Sequence, residues 1–196
     1  MDMNMYMNLE QFNDFEIKLT FTPAPRPDRV HIGLVQLAND HTLETDWSHL
    51  LAEQASLFSN RVFKKNGMTP EALDEVATSI GAAALLVADG LPMDVMAFAC
   101  TSASFVIGEE KISNLLTEGR GDIPTTNPWS AAKAAFKHLN AKKIAIFSPY
   151  PTDVNYQLKL QLEDSGFELV ALTGLGIMDD NMIHKASLSS FEEGIE

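Results

Sequence analysis

The chain contains a single cysteine, Cys100, and its setting makes it the first residue to consider for chemistry. It follows the apolar run Asp94-Val95-Met96-Ala97-Phe98-Ala99, which reads as a buried strand, and precedes Thr101-Ser102-Ala103-Ser104, which opens a helix. At such a junction, unpaired backbone N–H groups and the positive helix end favour a thiolate and can also hold a carboxylate. The position predicts a thiol of lowered pKa, able to act as a nucleophile or as an acid and base. The competing reading is a small buried hydrophobe, the commoner fate of a lone cysteine. Position alone leaves both open.

Other chemistry-bearing patterns fail. Gly174-Leu175-Gly176 lacks the third glycine of a dinucleotide loop, and neither a phosphate-binding Walker loop nor a Gly-x-Ser-x-Gly elbow occurs. His31, His41, His49, His138 and His184 lack metal-ligand spacing. One cysteine excludes an internal disulfide and any multi-thiolate metal site. Nothing in the sequence calls for a metal or an organic cofactor.

The elements that must position Cys100 form a regular series from Asp28 onward. Val30 to Val35 reads as a strand. Trp47, Leu50, Leu51, Ala55 and Phe58 recur at helical spacing, and residues 60–64 read as a second strand. Thr69-Pro70-Glu71 starts a helix that runs to Val87, with proline at its first position. Residues 101–116 read as one helix, and 129–139 as another rich in alanine. Lys142 to Phe147 is a strand, 154–163 a helix, 167–172 a strand and 179–186 helical. Strands separated by helices imply parallel pairing, so the fold class is α/β with sheets flanked by helices. In such sheets ligands bind at the carboxyl ends of the strands. That directs attention to the loops at 37–42, 100–104, 125–127, 148–155 and 174–181.

Residues 1–27 stand apart, ending in the proline cluster Thr22-Pro23-Ala24-Pro25-Arg26-Pro27. The apolar alternation from Phe15 to Phe21 has an edge-strand pattern, but the segment is expected to be a loosely held extension. The expected organisation is this extension, a first α/β lobe at 28–125 carrying Cys100, and a second, apparently truncated lobe at 126–196. Ile32-Gly33-Leu34-Val35 and Ile144-Ala145-Ile146-Phe147 are each followed by a polar loop and a helix. Two related lobes would look like this, and so would any pair of βα units.

The 196 residues carry 14 Lys and Arg against 27 Asp and Glu, for a net charge of −13. That balance disfavours nucleic acid and anionic membranes as partners. No apolar run spans a bilayer and the first ten residues lack a signal-peptide pattern, so a soluble cytoplasmic protein is expected.

Several stretches together carry a family resemblance. They are Ile32-Gly33-Leu34-Val35 running into Asp40-His41-Thr42-Leu43-Glu44, the Cys100-Thr101-Ser102 stretch with Ile107-Gly108, and Thr125-Thr126 before the alanine-rich helix. Ser148-Pro149-Tyr150 with Asn155, and Gly166-Phe167-Glu168 with Asn181, follow in order. The chain resembles the aspartate/glutamate racemase superfamily in its maleate isomerase and arylmalonate decarboxylase branch. Its first loop is similar to the racemase-like proteins of ectoine utilisation. The resemblance implies two pseudo-symmetric lobes around a cofactor-free site for a small carboxylate, with a homo-oligomer by analogy. It implies Cys100 as the first-lobe cysteine, Thr101 and Ser102 in its carboxylate-holding loop, and Tyr150 and Asn181 as substrate contacts.

Two departures stand out. Asp40 occupies the place of an asparagine that contacts the substrate carboxylate in maleate isomerases, and an aspartate there repels an anion unless protonated or paired. The family's second-lobe cysteine has no counterpart in this sequence, and the expectation is a chain that stops short of it. The activity implied is that of an isomerase or racemase. The alternatives are a lyase or hydrolase of ectoine-type breakdown, or a non-catalytic small-molecule binder.

Overall fold

A computed structural model of the chain describes residues 7–25, 28–51 and 53–195. Four strands, β1 (Val30–Leu37), β2 (Ala55–Val62), β3 (Val95–Ala99) and β4 (Thr125–Thr126), form one parallel sheet in the order β2-β1-β3-β4. A second parallel sheet pairs β5 (Lys143–Ser148) with β6 (Glu168–Gly174). Leu34, Val35, Met96 and Phe98 are fully buried. Strands covered on both faces read as continuous apolar runs, which is why β1 and β3 were legible.

The crossovers are helical: α2 (Leu43–Leu51), α3 (Pro70–Glu75), α4 (Ala77–Leu85), α5 (Thr101–Ile107), α6 (Glu109–Thr117), α7 (Pro128–His138) and α8 (Thr152–Asp164). A 3₁₀ segment (Asp180–Lys185) and α9 (Leu188–Ile195) close the described chain. One apolar cluster runs from Leu73, Ile80 and Phe98 through Phe105 and Trp129 to Val154, Leu158 and Leu162, so both sheets share a core. The fold class is α/β. Among the described residues no helix is long and apolar enough to cross a membrane.

Three expectations are corrected. The helical periodicity of Trp47 to Phe58 does not hold past Leu51, and β2 starts at Ala55. There the ladder that pairs Val30 with Ala55 and Leu37 with Val62 overrides the local pattern. The single helix expected over 101–116 is two, because Gly108 at φ +91° breaks it. Its φ/ψ of 91° and 147° belongs to a region essentially reserved for glycine. The helix from Pro70 is likewise interrupted, at Val76.

No strand forms over Phe15–Phe21. Residues 9–15 instead make α1, started by a capping box in which Asn8 and Gln11 exchange hydrogen bonds. None of its residues is buried, and 16–25 are exposed without regular structure. Residues 1–6, 26 and 27 of the expected extension lie outside the described residues.

Candidate active site

The sheet order places β1 and β3 side by side, while the chain leaves β1 toward β2 on one flank and β3 toward β4 on the other. Such a reversal parts the loops at the strands' carboxyl ends and leaves a crevice between them. A cavity of about 470 Å³ lies there. The loops after β1, β2, β3 and β5 line it, joined by the 3₁₀ segment.

Cys100 is the first residue beyond β3 and the N-cap of α5. Its carbonyl accepts from both the backbone N–H (2.9 Å) and the hydroxyl (2.7 Å) of the fully buried Ser104, which fixes the turn. The thiol Sγ lies 3.6 Å from Ser102 Oγ. Burial pushes the Cys100 thiol above its ordinary value. The Ala103 N–H, the Ser102 hydroxyl, the Lys64 ammonium and the Ser102 N–H pull the other way without overturning it. The lowered thiol pKa expected from the helix start is therefore corrected. The helix-start donors do address the sulfur, but loss of water outweighs them.

Tyr150 reaches the same cavity from the β5–α8 loop. Burial, and next the negative charge of an ionised Cys100, push its phenol well above the ordinary value, while its contacts with the Thr101 and Ser102 hydroxyls oppose this. Tyr150 is thus a neutral donor at any physiological pH. Its ring stands edge-on to Phe105 at 6.1 Å, and Phe105 meets Trp129 in the same way. The loop beneath it is tied by Asn155, whose Nδ2 donates to the Tyr150 carbonyl (2.9 Å) and whose Oδ1 accepts from Ser148 Oγ (2.6 Å). Gly174 lies so close that a Cβ there would stand 2.7 Å from Asn155 Nδ2.

The opposite lining is ionic. Lys64 Nζ and Asp180 Oδ2 are 2.9 Å apart, with side chains 1% and 8% exposed. Burial works against the Asp180 charge, yet Lys64 and the Gly67 N–H outweigh it and hold its carboxyl below the usual range. His41 and His184, from the β1–α2 loop and the 3₁₀ segment, meet edge to face at 5.4 Å on the cavity wall.

Comparison with known proteins bears on this arrangement. The profile of the arylmalonate decarboxylase family matches residues 33–193. The chain belongs to that family. It is 24% identical over 163 residues to the maleate isomerase of Geobacillus stearothermophilus, covering 76% of this chain and 64% of that relative's length. It thus spans less than two thirds of that relative. The maleate isomerase Iso from Pseudomonas putida S16 superposes with a TM-score of 0.72 at 21% identity, over 85% of this chain and 72% of that one. A cysteine variant of the Nocardia farcinica maleate cis-trans isomerase, carrying a covalently bound succinylcysteine intermediate, gives 0.75 at 22% identity, over 85% and 71%. The likeness to both structures is a likeness of fold.

Within this family member the cavity gathers Cys100, Thr101, Ser102, Tyr150 and Asp40. One oxygen of the Asp40 carboxylate, Oδ1, accepts from the N–H groups of Thr42 and Leu43 at 3.0 Å each, an Asx turn that leads into α2. Asn181 is not brought into this cavity. It is exposed, its Nδ2 donates to Asp179 Oδ1, and it lines a neighbouring depression with Asn39 and Lys64. Its neighbour Asp180 enters the cavity instead. Lys64, Asp180, His41 and His184 were not expected as site residues. Asp180 was one residue from a candidate, and nothing in the Lys64-Lys65 pair signals a buried ammonium.

Proposed function

We propose that the chain is a cysteine-dependent isomerase of a small unsaturated carboxylate, working by covalent addition of Cys100. The observation that carries this reading is the placement of the chain's one thiol. It sits at the switch point of the sheet, in a cavity it shares with neutral hydroxyl donors from Thr101, Ser102 and Tyr150. The succinylcysteine of the Nocardia farcinica enzyme supports it, since that adduct is what a thiol and an unsaturated dicarboxylate form.

In the proposed reaction the sulfur attacks one alkene carbon, the C–S bond forms, and the π electrons move toward the carboxylate on the other carbon. The hydroxyls of Ser102 and Tyr150 donate hydrogen bonds to the developing negative charge. The former double bond is now single and rotates. Return of the electrons expels the sulfur and restores the alkene in the other geometry, so no atom is gained or lost. Burial keeps the thiol protonated at the start, so its proton passes to the carbon that gains the electron pair as the C–S bond forms, and it returns to the sulfur when the alkene is restored. One thiol suffices for addition and elimination, whereas racemisation needs groups on both faces of the substrate.

The test is incubation with maleate and related cis-enoates, followed by proton NMR and intact mass. Turnover with a transient adduct on Cys100 is expected, and Cys100→Ser should lose turnover by at least about a thousandfold while keeping its fold. Undiminished turnover in a folded Cys100→Ser variant would remove the thiol from the mechanism.

A further inference from the structure

The covalent reading leaves the buried ion pair of the cavity without a role. All three ammonium hydrogens of Lys64 are taken, by Asp180 Oδ2 and by the carbonyls of Lys65 and Gly67, each at 2.9 Å. Asp180 is as fully engaged. Its Oδ1 accepts from the Gly67 N–H and its Oδ2 from Asn39 Nδ2, both at 3.2 Å. The backbone adds one more tie in the same place, from the Met68 N–H to the Met178 carbonyl at 3.0 Å. The chain after β2 is thereby fastened to the chain after β6.

A buried pair of this kind is weak evidence for stability, because well-packed apolar replacements often do as well or better. The pair does lie on the cavity wall. Lys64 and Asp180 both line it with Cys100, and the 3₁₀ segment that Asp180 opens contributes Ile183 and His184 to the wall.

We propose that Lys64 is a positioning residue for the Cys100 chemistry. Its ammonium is the fixed positive charge of the cavity, and its clasp on Asp180 holds the 3₁₀ segment in place as a wall. The charge matters because negative charge develops on the sulfur twice, on attack and on expulsion. Lys64 already pulls against the burial that disfavours the thiolate. The other charged or titratable groups lining the site are Asp40 and His41 from the loop after β1, Tyr150 from the loop after β5, and Asp180 and His184 from the 3₁₀ segment.

This inference rests on Cys100 as the reacting group, so its test is read on the thiol rather than on turnover. The rate of iodoacetamide alkylation of the sole cysteine is followed by mass between about pH 7 and 11.5, in short pulses that keep the protein folded at the alkaline end. Four proteins are compared: wild type, Lys64→Met, Asp180→Asn, and the Lys64→Met/Asp180→Leu double variant, which removes the pair without orphaning a charge. The alkylation midpoint should rise in Lys64→Met and in the double variant, with the rate below the midpoint falling about threefold or more. In Asp180→Asn the midpoint should drop, because the ammonium is no longer neutralised. Trypsin cleavage after Lys185 should accelerate in Lys64→Met, where the clasp is broken and Asp180 is left buried without its partner.

Midpoints that stay put, or that move together in the two single variants, would overturn the electrostatic role. Unchanged cleavage after Lys185 would overturn the clasp. A Cys100→Ser protein that still turns over substrate would sink the covalent reading separately, leaving the alkylation midpoints to report on Lys64.

Discussion

Asn155→Ala tests whether the β5–α8 loop is held as the structure indicates. The side chain is buried and makes two hydrogen bonds, to Ser148 Oγ at 2.6 Å and to the Tyr150 carbonyl at 2.9 Å. A neutral hydrogen bond contributes about 0.5–1.5 kcal/mol net, so two lost together cost about 1–3 kcal/mol. Ser148 Oγ keeps the Tyr150 N–H as a donor at 3.3 Å, which places the expected loss near the middle, about 2 kcal/mol. For a chain of this length that corresponds to a drop in Tm of about 4–8 °C. Urea unfolding followed by the fluorescence of Trp129, which is buried against Phe105 beside Tyr150, measures the loss directly.

The neighbouring Gly174 provides a check internal to the same contact. Gly174→Ala drives a methyl group to 2.7 Å from Asn155 Nδ2 and 3.3 Å from the Tyr150 carbonyl, closer than a side chain tolerates. Its cost should shrink in the Asn155→Ala background, where the first of those atoms is gone, giving a coupling of about 0.5 kcal/mol or more in a double-mutant cycle. An Asn155→Ala loss under about 0.5 kcal/mol, or strict additivity with Gly174→Ala, would refute the account of this loop.

Other outcomes are equally open to measurement. Tyr150→Phe should lower kcat about tenfold or more while changing urea stability by less than about 1 kcal/mol, because the phenol stays protonated and serves as a donor; unchanged kinetics would reduce it to packing. Asp180 has a folded-state pKa below its unfolded one, so its contribution is present above the ordinary aspartate pKa and fades as pH falls through the lowered value. The wild-type stability curve should therefore fall more steeply below about pH 4 than that of Asp180→Asn, as urea titrations at stepped pH would show. Gly108→Ala should cost about 1–3 kcal/mol, since φ +91° with ψ 147° strains any residue with a Cβ; a neutral result in thermal melts would mean the α5–α6 break relaxes freely.

The pattern of apolar runs and polar loops was enough to read the α/β class, and the position of Cys100 at a strand end was enough to single it out. Both are local facts. A strand buried on two faces must be apolar throughout, and the turn after it must offer small residues where a helix begins. The same locality explains the misreadings. Trp47 to Phe58 kept helical spacing by chance across a helix end and a strand start, and only pairing with β1 decides that Ala55 begins β2. The thiol's pKa was misjudged because a helix start is visible in the sequence while the removal of water is not. Lys64 and Asp180 were invisible for a related reason. An ammonium and a carboxylate far apart in the chain become an ion pair only when the ends of β2 and β6 are brought together, and once water is excluded there each needs the other as its partner.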